Sequence, residues 1–116
     1  MSAIERFYFR INNLGKAHGE DSEFAFKGVS ATAFAEDLQA GLRDPDLFER
    51  WRSKQDDPDS VPKSLAPFDP DATVHAHAAD THTDIEVVTK LPHLVVAHRI
   101  TLLIGRNWTL RDVGPA

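Results

Sequence analysis

Apolar and polar positions alternate from Ile4 to Asn12: Phe7, Phe9 and Ile11 fall on one side, and Arg6, Tyr8 and Arg10 on the other. A period of two with aromatic residues in it predicts a half-buried strand. Asn12 to Ser22 is polar and holds Gly15 and Gly19, which reads as a turn. Glu23 to Lys27, with Phe24 and Phe26 on one face, predicts a short second strand that completes a hairpin. After Gly28 the period lengthens. Ser30 is placed to cap a helix, and Phe34, Leu38 and Leu42 recur every four residues with Ala31 and Ala35 beside them. That stripe predicts an amphipathic helix to about Arg43. Asp44-Pro45 then starts a second helix to about Lys54, offering Leu47, Phe48 and Trp51 to the core.

Residues 53–70 break the pattern. Pro58, Pro62, Pro67 and Pro70 lie among Asp56, Asp57, Asp59 and Asp69, so no regular element fits there. The segment reads as a long surface strap, expected to be pinned by Leu65 and Phe68. Beyond it, Asp71 to Ala79, Thr83 to Leu91, Leu94 to Ile104 and Trp108 to Asp112 read as four successive strands. Turn residues at Asp80-Thr81-His82, Pro92-His93 and Gly105-Arg106-Asn107 separate them. The expected fold is therefore α+β, a single domain over residues 1–116 in the order β-β-α-α-β-β-β-β. Its antiparallel sheet would have five to six strands, a meander after residue 70, with the two short helices packed on one face.

The 116-residue length allows one core of ordinary size. A net charge of −5 makes the chain mildly acidic and argues against nucleic acid or an anionic membrane as its partner. With no cysteine, thiolate zinc sites, disulfides and cysteine nucleophiles are excluded. No segment approaches the roughly 18 consecutive apolar residues of a membrane span, and the first residues lack a signal peptide's apolar stretch. A cytoplasmic location is the expectation.

One constellation carries candidate chemistry. His75 and His77, two apart in a strand, share a face. Tight hairpins over Thr81-His82 and over Leu91-Pro92-His93 would set His77 opposite Glu86 and Glu86 opposite His98. That makes a row of two imidazoles and a carboxylate, with His75 alongside. Such a set could take a divalent metal, or act without metal as a general base oriented by a carboxylate. Val88, Leu94, Val96, Ile100, Leu102 and Ile104 would share that face.

Two short helices cannot cover both faces of a wide sheet. The leading expectation is therefore a binding or assembly module, without cofactor, that takes a protein partner or a second copy through the uncovered face. His75, His77, Glu86 and His98 are its candidate binding residues. The alternative is a small metal-dependent or general-base enzyme built on His77, Glu86 and His98.

Overall fold

The computed structural model describes residues 3–116. β1 (Glu5–Asn12) keeps the expected phase, with Phe7, Phe9 and Ile11 buried and Arg6, Tyr8 and Arg10 outward. Its partners are distant in sequence. β3 (His82–Thr89) pairs along one edge of β1 and β4 (Trp108–Pro115) along the other, both antiparallel. β2 (Thr73–Ala78) adds outside β3, giving the order β2-β3-β1-β4. Among the described residues the antiparallel sheet has four strands, not five or six, and three α-helices accompany it.

The expected strand at Glu23–Lys27 does not form. Phe24 and Phe26 are buried as their spacing implies, but the backbone beside them is irregular. Its hydrogen bonds go to a helix end, where carbonyls lack intrahelical donors. The amides of Gly19 and Phe26 donate to the Leu103 carbonyl at 3.0 and 2.8 Å. A Cβ on Gly19 would collide with the Leu102 carbonyl, so this close approach requires glycine.

That helix end belongs to an element the hydrophobic pattern did not show. His93–Ile104 is a helix, α3, where a strand was expected from Leu94 to Ile104. Its buried residues are Val95, Val96, Arg99, Ile100, Leu103 and Ile104, a spacing of three to four. The run is rich in β-branched residues and mostly apolar, and such runs suit either element. Pro92 before it and Gly105 after it, at φ 65°, mark the helix ends. The meander after residue 70 is therefore one hairpin, β2–β3, followed by a helical crossover to β4.

α1 (Ala31–Arg43) begins as expected, with Ser30 Oγ accepting from the Ala33 amide at 3.1 Å. α2 (Asp46–Ser53) follows the Asp44-Pro45 break. α1 lies along β2 and against α3. The chain thus runs β-α-α-β-β-α-β, with β3 inserted between β1 and β2, a split β-α-β arrangement. Both crossovers use the same face of the sheet, so the core lies between that face and the helices. The other face is left open. Among the described residues, no helix is long and apolar enough to cross a membrane.

The strap between α2 and β2 contains two one-turn 3-10 helices, Pro58–Ser60 and Lys63–Leu65. Phe68, an expected pin, is 43% exposed. The fastening is polar instead. Asp69 is buried, and its carboxylate accepts from Thr89 Oγ1 at 2.8 Å and from the amides of Asp71 and Lys90 at 3.0 and 3.2 Å. Burial works to raise this carboxyl's pKa, but those bonds and the Lys90 charge outweigh it and hold it below the usual range.

Candidate functional site: the open face of the sheet

Side chains opposite one another in neighbouring strands share a face, so the register writes out the open surface row by row. One row runs His75, Glu86, Tyr8, Asp112 across β2, β3, β1 and β4. The next runs His77, Asp84, Arg10, Thr109. Between these rows β4 carries one extra residue, Arg111, because pairing steps from Asp112 opposite Tyr8 to Leu110 opposite Phe9. Tyr8, Arg10, His77, Asp84, Glu86, Arg111 and Asp112 line a shallow depression of about 550 Å³ on this face.

Charge on the face is organised by strand. β1 is cationic and β3 anionic, and ion pairs join them: Arg10 Nε to Asp84 Oδ1 at 3.1 Å and Arg6 Nε to Glu86 Oε1 at 3.4 Å. His82 Nε2 lies 3.3 Å from the other Asp84 oxygen. The bond from Arg10 is the main reason the Asp84 carboxyl is held below the usual carboxylate range. Partial burial opposes it, and the Arg10 and His82 charges reinforce it.

His75 and His77 do lie together on this face, both exposed. The β2–β3 hairpin closes over Asp80-Thr81, one residue earlier than expected, with the Ala79 amide donating to the His82 carbonyl at 2.8 Å. One residue in the turn is two in the pairing, so His75 faces Glu86 and His77 faces Asp84. His98 is elsewhere. It sits on α3, its ring centroid 4.4 Å from Trp51 and 6.0 Å from Phe48 of α2, on the helical side of the sheet. The row His77, Glu86, His98 is therefore not assembled. Among the described residues no group of three or more histidine, aspartate or glutamate side chains is arranged to hold a metal ion. Of the apolar residues expected beside the row, all but Val88 lie on α3 with His98. Val96, Ile100 and Ile104 are buried there, so the open face is mainly polar, with Val88 at one end of β3.

Two groups of functional character escaped the sequence. Arg6, Tyr8 and Arg10 were legible as an outward face of their strand. Their partners Asp84 and Glu86, some 74 residues away for the Arg10–Asp84 bond, were not. The other group is His98 with Arg99. Arg99 is 1% exposed; its Nη1 donates to His98 Nδ1 at 2.6 Å and its Nη2 to the Leu65 carbonyl at 2.7 Å. A guanidinium only donates, so the His98 proton sits on Nε2, which is buried and has no hydrogen-bond partner among the described residues.

Burial, reinforced by the Arg99 charge, pushes the His98 imidazole down from 6.5 to about 4. The fold holds the neutral form, so its contribution is complete above the ordinary imidazole range. As pH falls from 6.5 towards 4 the unfolded chain binds a proton that the folded one refuses, and stability is lost. Wild type is expected to lose roughly 2–3 kcal/mol through this group by about pH 4. Urea denaturation across that range checks it: His98→Gln, whose amide oxygen can still accept from Arg99, should show a shallower decline. An unchanged slope would place the proton-linked loss on another group.

Comparison of this chain with protein-family models, with curated proteins and with solved structures finds no match. The fold class alone carries no function, since such arrangements host many. Function has to be argued from the face itself.

Proposed function

We propose that the protein is a small assembly module that associates with a second copy of itself through the open face of its sheet. The observation that carries this reading is the charge layout: a cationic row on β1 directly beside an anionic row on β3, on a face to which neither crossover contributes a helix. A surface bearing both signs in adjacent rows is complementary to itself. Tyr8, 37% exposed at its centre, adds an aromatic group of the kind enriched at protein interfaces.

Size sets the strength. Strands about 4.8 Å apart and residues about 3.4 Å along them give four strands a footprint of roughly 500 Å². Two copies would bury about 1,000 Å² in all, at the low end for specific association. The contact is polar and not the apolar one expected from sequence, so it is weak, reversible and sensitive to salt. Sedimentation in about 20 mM salt is expected to show a monomer–dimer equilibrium in the micromolar range, moving at least tenfold towards monomer in about 0.5 M salt. A monomer at all concentrations to about 1 mM in low salt would overturn the proposal. The enzymatic alternative has less behind it. His82 beside Asp84 is an imidazole–carboxylate pair, but that carboxylate is already bonded by Arg10.

A further inference from the structure

Resting on that self-association, we infer that the two copies are related by a two-fold axis parallel to the strands, midway between β1 and β3. Two sheets stacked face to face by symmetry have an axis lying between them, and its direction decides which strand meets which. An axis across the strands would set β1 over β1 and β3 over β3. Arginine row would then lie on arginine row, and acid row on acid row.

An axis along the strands exchanges β1 and β3 while keeping each row at its own height. In two of the three rows the register then supplies complementary groups, and the third sets Arg6 over Val88. Arg10 of one copy lies over Asp84 of the other, and Tyr8 over Glu86. At the margins β2 falls over β4, which sets the His75 imidazole over the Asp112 carboxylate. Each contact occurs twice, as an isologous interface requires. The existing Arg10–Asp84 pairs need not break. Two of them stacked form an alternating ring of four charges, in which each carboxylate lies between two guanidinium groups. The sheet spacing of about 10 Å is spanned by long side chains meeting from both sides.

Charge reversal in complementary halves tests whether these charged rows make the contact, and a pair of cysteine variants tests the axis. Arg10→Asp alone and Asp84→Arg alone each put like charges together, and each should weaken self-association at least tenfold. Mixed in equal amounts, the two variants should form a heterodimer within about threefold of wild-type affinity. Both sites are on the solvent face, and thermal unfolding monitors whether the variants remain folded. A second arm avoids charge reversal altogether. The chain has no cysteine, so His75→Cys and Asp112→Cys give single thiols at opposite edges of the sheet. A short bis-maleimide is expected to link the two variants in the mixture and neither one alone. If wild type dimerises but the mixture is not restored, or if either cysteine variant links to itself instead, the axis is overturned while self-association stands. A wild type that never dimerises removes both.

Discussion

Replacing Arg99 by alanine is expected to lower the stability of the fold by roughly 3–5 kcal/mol and to release the strap between α2 and β2. The guanidinium lies under that strap, holding the Leu65 carbonyl at 2.7 Å and the Pro67 carbonyl at 3.4 Å, with the Phe48 ring 4.7 Å away. Its hydrogen-bond partners are carbonyls and an imidazole, with no carboxylate among them. Burial pushes its pKa down to about 10, so at neutral pH the charge remains and is spread over carbonyl dipoles and an aromatic face. Alanine removes the donors and leaves a cavity. Arg99→Met keeps most of the volume and removes the buried charge, so its cost in stability should be less than half that of alanine. Both variants lose the bonds from Arg99 to the Leu65 and Pro67 carbonyls, and trypsin should cleave faster after Lys63 in both. Protection at Lys63 equal to wild type in both variants would show that the strap is held by other contacts.

Phe34→Ala is expected to cost a similar 3–5 kcal/mol. The ring is wholly buried and meets Phe26 edge to face at 5.4 Å, joining α1 to the segment that covers the end of α3. The same truncation at Phe68 removes a ring that is 43% exposed, and should cost about 0.5 kcal/mol or less. Urea midpoints for the two variants give the comparison. Equal losses would contradict the packing described for either ring.

These two positions show what patterning can and cannot convey. Phe34 was legible because Phe34, Leu38 and Leu42 repeat at helical spacing beside a capping serine, all within one turn-by-turn stretch of chain. Arg99 was not legible. Nothing local distinguishes an arginine that snorkels to solvent from one enclosed by a proline-rich strap more than thirty residues earlier. The error at α3 has the same root in another form. A run of valine, leucine and isoleucine offers apolar side chains in every direction, so its period is nearly silent. Here the choice of helix is accounted for by pairing: β3 has β2 on one edge and β1 on the other, which leaves no free edge for a following hairpin strand.

The candidate site divides in the same way. The sequence by itself determined that Arg6, Tyr8 and Arg10 share one side of their strand, that His75 and His77 share one side of theirs, and that a proline-rich strap without α-helix or strand follows the second helix. Alternation along a strand is a property of the backbone and needs no partner. Only the tertiary structure decided that β1 enters between β3 and β4, so that arginines near the start of the chain meet acids far along it. It also decided that His98 turns away on a helix to lie against Trp51. Strand order is set by which apolar faces bury together across the whole chain, and that competition between distant segments has no local signature.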